Sequence, residues 1–160
     1  IHDTNLSPRI KCGANYINSR MGQREALRNG YDTTIFLNQQ GTVSEGPGSC
    51  LVIVKNGVLI TPKLTDSVLE SITRDTVLTL ARQELKLPIE ERSIDRTELY
   101  ACDEAFLCGS SMGITPIYSV DRYELSTGAG PITAQLSDLY MACVTGREAA
   151  YRAWLTPIYD

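Results

Sequence analysis

The order of apolar and polar positions divides the chain into helical and extended segments. Residues 18–29 contain helix-forming residues and are followed by Gly30, a residue type that commonly ends a helix in the left-handed conformation. A second helix is predicted from Ser71 to a point before Pro88, because four apolar residues share one helical face: Val77, Leu80, Ala81 and Leu85. The charged residues of this segment are placed elsewhere on the helix surface: Arg74, Asp75 and Arg82.

Short runs of β-forming residues predict strands between these two helices. Two antiparallel pairs are expected: 33–37 with 42–45, and 50–54 with 58–61. The second pair is joined by Lys55-Asn56-Gly57, and Asn-Gly between apolar segments is the strongest short-range signal of a hairpin. This part of the chain is therefore predicted to be antiparallel β-structure.

The second half of the chain adds short strands and a last helix. The predicted elements are strands at 89–94, 104–108 and 114–120, a short helical piece at 98–101, a helix at 133–144 that stops at Gly146, and a helical or turn-like tail through Tyr151, Trp154 and Tyr159. Because the strands are grouped and do not alternate regularly with helices, the predicted fold class is α+β, with mixed, mostly antiparallel β-structure flanked by helices. A chain of 160 residues with 42% hydrophobic content favours one domain with a substantial core.

The charge and hydrophobicity of the chain limit the kinds of molecule that it is expected to bind. The formal net charge is −4 with 21% charged residues, so no basic field is expected to attract nucleic acid or an anionic membrane surface. No apolar run approaches the roughly 20 residues that span a bilayer, and nothing marks the chain for export. Small polar or anionic metabolites remain as ligands, and a cytoplasmic location is expected.

Cysteine and histidine usage excludes several classes of enzyme. The five cysteines are scattered without a C-x-x-C pair, which is typical of reduced thiols and predicts neither a disulfide frame nor a metal site. His2 is the only histidine and lies at the terminus. This argues against a Ser-His-Asp triad, a Cys-His pair or a histidine metal cluster.

Two charged residues have neighbours suited to chemistry. Lys11 lies in Ile-Lys-Cys-Gly-Ala-Asn-Tyr, where apolar and small residues could hold a desolvated amine that attacks an aldehyde. Glu45 ends a β-rich run just before Gly46-Pro47-Gly48, where a loop would let a ligand approach its carboxylate. Taken singly, each is more simply a solvated surface charge.

Two further segments could hold an anion. Ser71-Ile72-Thr73 opens the predicted helix, where free N–H groups and the positive end of the helix dipole favour negative charge. Gly109-Ser110-Ser111 follows an apolar strand and offers hydroxyls and accessible amides. An ordinary N-cap and an ordinary turn would look the same.

The order of these segments resembles the class IV pyridoxal-phosphate-dependent aminotransferases, and most closely the branched-chain aminotransferases. The resemblance covers nearly the whole chain and rests on five ordered blocks: KCGANY at 11–16, VSEG at 43–46, TP at 61–62 with LESITRD at 69–75, DEAF at 103–106 with CGS at 108–110 and ITP at 114–116, and GPIT at 130–133. It implies the large domain of the branched-chain and D-amino-acid aminotransferase fold, over 11–160, with 1–10 as an interdomain segment. The cofactor it implies is pyridoxal 5′-phosphate.

The resemblance assigns roles around the cofactor ring. Lys11 matches the lysine that forms a Schiff base with the cofactor and carries the proton between substrate and cofactor. Tyr16 matches the tyrosine facing the ring oxygen, and Glu45 matches the carboxylate on the ring nitrogen. Leu69 matches the residue that packs on the ring face.

The resemblance also assigns roles at the phosphate and the substrate. Ile72 and Thr73 match the helix-start residues whose amides bind phosphate. Ser110 and Ser111 match the loop that binds phosphate and, through its amides, the substrate carboxylate, although the family more often has threonine at the first position. The residues after Glu45 depart from the family pattern, which expects an asparagine where Cys50 stands.

The implied activity is amino transfer between L-leucine, L-isoleucine or L-valine and 2-oxoglutarate by a homodimer or larger homo-oligomer. Other class IV enzymes remain open: a D-amino-acid or R-amine transaminase, or an aminodeoxychorismate lyase. The family's N-terminal small domain, which completes the substrate pocket, is not matched, and the chain begins at Ile1 without methionine. A catalytically incomplete fragment is therefore the remaining alternative.

Overall fold

The computed structural model describes residues 3–125 and 129–158, which form a mixed sheet with helices packed against it. Its α-helices are α1 (Tyr16–Arg28), α2 (Ile72–Gln83) and α3 (Pro131–Val144), and 3-10 turns occupy Leu64–Asp66, Arg96–Tyr100 and Ala149–Trp154. The strands are β1 (Glu45–Gly46), β2 (Ser49–Lys55), β3 (Val58–Thr61), β4 (Ile89–Glu91), β5 (Glu104–Gly109), β6 (Gly113–Pro116), β7 (Ser119–Val120) and β8 (Tyr123–Glu124). The predicted α+β class is confirmed.

The main sheet runs β4-β3-β2-β5-β6, and β1 also pairs with β2. Its pairs are antiparallel except that β3 and β4 run parallel. The predicted hairpin is confirmed, since Lys55 pairs with Val58 and leaves a two-residue turn. Asn56 and Gly57 both have positive φ, 51° and 74°, as the favoured turn of this length requires.

Strand β2 is buried on both faces, so alternate side chains enter two different cores. One core lies between the sheet and helices α2 and α3, and its β2 members are Cys50, Val52 and Val54. The other core lies on the opposite face, where Leu51 and Ile53 pack with side chains from the connecting segments. This double burial explains why 50–54 is apolar throughout and does not alternate.

The helices form where the sequence predicts, with small shifts at their ends. Helix α1 begins at Tyr16, and Gly30 after it has a φ of +78°. In α2, the side chain of Ser71 caps the first turn by accepting the N–H of Arg74 at 3.3 Å. Leu85 lies beyond the last residue of α2 but still packs against the core that this helix covers.

The predicted pair 33–37 with 42–45 is only a loose antiparallel contact. Leu37 and Val43 form one isolated bridge, and Phe36 donates its N–H to the carbonyl of Glu45 at 2.8 Å. The last residue of the second segment, Glu45, instead begins β1 and pairs with Cys50. The run 114–120 likewise divides into β6 and β7, because Pro116 at the end of β6 cannot donate a ladder hydrogen bond.

The expectation that Arg74 lies away from the buried face of α2 is wrong. Its side chain is buried, and the residue is only 6% exposed. The guanidinium donates to Glu91 Oε2 at 2.7 Å, to Thr61 Oγ1 at 3.2 Å and to the Pro62 carbonyl at 3.0 Å. These contacts tie the first turn of α2 to strands β3 and β4, and they satisfy the charge that burial would otherwise penalise.

The second half contains a buried carboxylate, Glu104, at the start of β5. Its Oε2 accepts the N–H and the hydroxyl of Thr133, each at 2.7 Å, and its Oε1 accepts the N–H of Ile132 at 3.1 Å. Three donors and the positive end of the α3 dipole stabilise this charge. The tail follows the prediction as the 3-10 turn Ala149–Trp154, whereas Tyr159 lies outside the described residues.

Candidate active site

Lys11 lies in the loop that leads into α1, and Tyr16 is the first residue of that helix. Lys11 Nζ donates a hydrogen bond to Tyr16 Oη at 2.7 Å, and Nζ lies 5.2 Å from the centre of the tyrosine ring. The expectation of a desolvated amine is wrong for the described residues, because Lys11 is exposed and Tyr16 covers it on one side only. The amine is nevertheless held in one direction, toward the cavity described below.

Glu45 is placed by β1 and points its carboxylate at the segment before α2. Its Oε2 accepts the backbone N–H of Leu69 at 2.9 Å. Burial raises the pKa of Glu45, while the Leu69 N–H and the positive charge of Lys11 act in the opposite direction. The carboxyl group is therefore a stronger base than an exposed glutamate, and it would hold a shared proton from a ligand firmly.

Cys50 stands opposite Glu45 in the register of β1 and β2 and lines the same cavity. Its Sγ lies 3.7 Å from the carbonyl oxygen of Leu69. Burial, with the nearby negative charge of Glu45, raises the pKa of the Cys50 thiol to about 11. The thiol is thus protonated at neutral pH and forms part of the wall of the cavity.

The start of α2 meets the turn between β5 and β6. Thr73 Oγ1 and Ser110 Oγ lie 3.3 Å apart, which brings the two predicted phosphate-binding segments together. Ile72 differs, because its side chain is 86% exposed and lines another cavity, between α2 and α3. Only its backbone N–H, at the open end of the helix, remains a candidate for anion binding.

One cavity of about 180 Å³ brings most of the predicted site residues together. Six of them line it: Lys11, Tyr16, Glu45, Leu69, Ser110 and Ser111. Thr73 reaches it through the hydroxyl of Ser110, and Ile72 does not line it. Nine further residues line it, and four of these carry polar side chains that sequence reasoning did not assign to the site: Asn15, Ser19, Ser49 and Cys50.

Two of these missed residues were signalled by the sequence. Asn15 belongs to the same block as Lys11, and Cys50 occupies a position where the resemblance expects an asparagine. Close packing of the walls depends on Gly109, since a Cβ there would lie 3.0 Å from the carbonyl oxygen of Gly48. The glycine lets the turn that carries Ser110 approach the β1–β2 loop.

Residues 3–125 and 129–158 contain neither a disulfide nor a metal-binding cluster. All five cysteines are free thiols, and this part of the chain holds no group of three or more His, Cys, Asp or Glu side chains able to bind a metal ion. The helices among these residues are too short or too polar to cross a membrane.

Known proteins are similar to this chain in sequence and in fold. The family model "Amino-transferase class IV" matches residues 1–120. A probable branched-chain-amino-acid aminotransferase of Aquifex aeolicus is 45% identical over 159 residues, which covers 99% of this chain and 51% of that protein. The branched-chain-amino-acid aminotransferase of Escherichia coli K12 is 39% identical over 149 residues, covering 92% of this chain and 48% of that protein.

Solved structures agree with these sequence relatives. The branched-chain amino acid aminotransferase of Thermobaculum terrenum, in its pyridoxal-phosphate form, superposes with a TM-score of 0.98 at 56% identity, covering all of this chain and 52% of that one. The branched-chain aminotransferase of Thermoproteus uzoniensis with norvaline gives a TM-score of 0.95 at 45% identity, covering 99% and 52%.

The α+β fold is shared with the solved branched-chain aminotransferases. The chain belongs to the class IV aminotransferase family. It spans about half the length of the curated branched-chain aminotransferases that it matches.

Proposed function

We propose that this chain carries the pyridoxal 5′-phosphate site of an aminotransferase that moves an amino group between branched-chain L-amino acids and 2-oxoglutarate. The observation that carries the proposal is the single cavity where the Lys11 amine, the Glu45 carboxylate and the Ser110 hydroxyl converge. Similarity to a pyridoxal-phosphate form and to a norvaline complex of branched-chain aminotransferases supports the cofactor and the aliphatic substrate class.

The donor set fits this cofactor at each of its functional groups. An aldehyde needs an amine, which Lys11 provides, and a pyridine nitrogen needs an acidic partner, which Glu45 provides. The ring oxygen would meet the Tyr16 hydroxyl, and the apolar side chain of Leu69 offers a surface for the ring. When bound, pyridoxal phosphate supplies an electron sink and a temporary carrier for the amino group.

Three side chains of this chain would carry out the acid–base chemistry, each with its own role: Lys11, Tyr16 and Glu45. Lys11 Nζ would take a proton from the substrate Cα and pass it to the cofactor, and in the second half-reaction it would carry a proton from the cofactor to the Cα of the 2-oxo acid. Tyr16 Oη, 2.7 Å from that nitrogen, orients the amine. The Glu45 carboxylate would stabilise a protonated ring nitrogen, because burial raises the pKa of Glu45 by disfavouring an unpaired negative charge and a cationic partner offsets that penalty.

The phosphate would bind where α2 begins. The N–H groups of Ile72 and Thr73 lie at the positive end of the helix dipole, and the Thr73 and Ser110 hydroxyls lie 3.3 Å apart beside it. Ser110 and Ser111 are also proposed to hold the substrate carboxylate, with the Ser111 backbone N–H as donor. The same turn would thereby position both cofactor and substrate.

We also propose how the chain fits into its complete protein. Residues 11–160 would form the cofactor-binding large domain and 1–10 an interdomain segment, with the small domain supplied by the remainder of a protein about twice as long, as in the matched relatives. The complete protein is proposed to be a cytoplasmic homodimer or higher homo-oligomer. Light scattering on the complete protein would test its assembly.

The test compares the complete protein with Lys11→Ala, and with Lys63→Ala as a control at an exposed lysine outside the cavity. We expect pyridoxal phosphate to give a visible absorbance band with the parent and Lys63→Ala but not with Lys11→Ala, together with amino transfer from L-leucine to 2-oxoglutarate. A band that survives in Lys11→Ala would overturn the role of Lys11. Transfer from D-alanine in place of L-leucine would favour the D-amino-acid alternative.

A further inference from the structure

Asn15 occupies the N-cap position of α1 but does not cap that helix. Its own backbone is already helical, with φ −64° and ψ −29°, and its side chain accepts no hydrogen bond from the first turn. The usual N-cap asparagine has an extended backbone and accepts from the second or third N–H of the helix. The Asn15 side chain therefore serves some other purpose.

The Asn15 side chain turns back to the segment that carries Lys11. Its Nδ2 donates to the carbonyl oxygens of Ser7 and Ile10, both at 2.9 Å. Because both partners can only accept, the nitrogen of the amide must face them, and the opposite orientation would set three oxygens against one another. Its Oδ1 is buried and has no hydrogen-bond partner among the described residues.

These contacts close a compact loop on both sides of Lys11. Ile10 directly precedes Lys11, and the Cys12 carbonyl on the other side accepts the backbone N–H of Asn15 at 3.2 Å. Asn15 thus holds the main chain immediately before and after the lysine, and it lines the same cavity. The Tyr16 hydroxyl then fixes the far end of the side chain.

We propose that Asn15 is a positioning residue for Lys11: its two amide hydrogens anchor the loop so that Nζ is presented to the cavity beside Tyr16. The proposal rests on the proposed function of Lys11. An asparagine that merely started the helix would use its oxygen on α1, whereas here the oxygen is left without a described partner and the nitrogen acts on the lysine loop. Misplacement of a reacting group by about 1 Å can lower turnover by about 10²-fold.

The variants are Asn15→Asp, which keeps the shape but removes both donors, and Asn15→Ser, which removes the clamp without adding charge. The matched control is Asn18→Asp, an exposed residue of α1. All are made in the complete protein loaded with pyridoxal phosphate. The readouts are kcat and KM for L-leucine, the pH midpoint of the visible band, and circular dichroism to check the fold.

We expect both Asn15 variants to lower kcat by about tenfold or more, with a much smaller change in KM, and to shift the pH midpoint of the visible band. Asn18→Asp should match the parent in all three. Asn15 variants that fold and behave like Asn18→Asp would overturn the positioning role, and so would loss of native circular dichroism in both. A parent protein without a Lys11-dependent band would instead show that the proposed function itself has failed.

Discussion

Glu45 and Leu69 are joined by a hydrogen bond of 2.9 Å from the Leu69 N–H to the Glu45 carboxylate, although they lie 24 positions apart in the sequence. The bond links strand β1 to the segment that leads into α2, and so it connects two walls of the cavity. Burial raises the pKa of the same carboxylate, and the positive charge of Lys11 lowers it. Two predictions follow from this single group, one for turnover and one for stability.

Glu45→Gln should impair amino transfer more than cofactor binding. The amide can still accept the Leu69 N–H, but it cannot stabilise a protonated ring nitrogen. We expect kcat for L-leucine to fall by about 10²-fold, the scale of losing one preorganised electrostatic contact. Steady-state kinetics of the complete protein would test this, with Glu70→Gln, at an exposed neighbour, as the control. Equal effects of the two substitutions would contradict the assigned role.

The pH dependence of stability should carry the signature of Glu45. Because its pKa is raised above 4.5 in the folded state, the folded protein holds this proton more tightly than the unfolded chain does. Its contribution to stability is therefore complete below pH 4.5 and is lost as the pH rises through the folded-state pKa.

Glu45→Gln removes this ionisation. The free energy of unfolding of cofactor-free Glu45→Gln, minus that of the cofactor-free parent, should thus be larger at pH 7 than at pH 4. Urea unfolding of both proteins at the two pH values would measure this difference. A stability difference that is the same at both pH values would show that burial does not disfavour the charged carboxylate.

Arg74→Ala should destabilise the fold far more than the loss of an exposed charged side chain from a helix does. The substitution leaves Thr61 Oγ1 and the Pro62 carbonyl without their donor and opens space beneath α2. We expect a loss of about 2–3 kcal/mol in the free energy of unfolding. Arg82→Ala, at an exposed position of the same helix, should change it by less than about 0.5 kcal/mol. Comparable denaturant midpoints for both variants would argue against the buried network.

Gly130→Ala should cost more than the positive φ alone explains. Gly130 combines φ 74° with ψ 152°, a region that is essentially restricted to glycine, and Gly30 has a φ of 78°, so alanine meets backbone strain at both positions, of order 1–3 kcal/mol at Gly130. A Cβ at Gly130 would also overlap the buried carboxyl group of Glu104, whereas a Cβ at Gly30 meets no atom within 4 Å. Thermal unfolding of the two variants should show the larger loss for Gly130→Ala, from the backbone strain and the overlap together. If both lose the same stability, the contact between Glu104 and the start of α3 is looser than described.

Local sequence patterns anticipated the elements whose determinants are local. The β2–β3 hairpin follows from Asn56-Gly57, because these two residues adopt the positive φ angles that the turn requires. Helix α2 follows from apolar residues at helical spacing, and Val77 and Leu80 are fully buried as that spacing requires. Most of the candidate site was likewise named from motif order, without knowledge of its geometry.

Only the tertiary structure decided which side chains pair with partners that are distant in the sequence. Arg74 is hydrogen-bonded to Glu91, 17 positions further along the chain, and Glu104 is hydrogen-bonded to Thr133, 29 positions further along. The prediction set Arg74 apart from the apolar face because the residue is charged, although it lies three positions before Val77 and seven before Ala81. A pattern of residue types cannot show that a carboxylate and two further acceptors surround the guanidinium inside the fold.

The cavity depends on the same kind of contact. By itself, the sequence determined which segments are helical or extended and in what order the candidate residues occur. The tertiary structure decided that Cys50 and Asn15 join them and that Ile72 turns away, since these placements depend on strand register and on hydrogen bonds to backbone groups, neither of which leaves a periodic pattern in the chain.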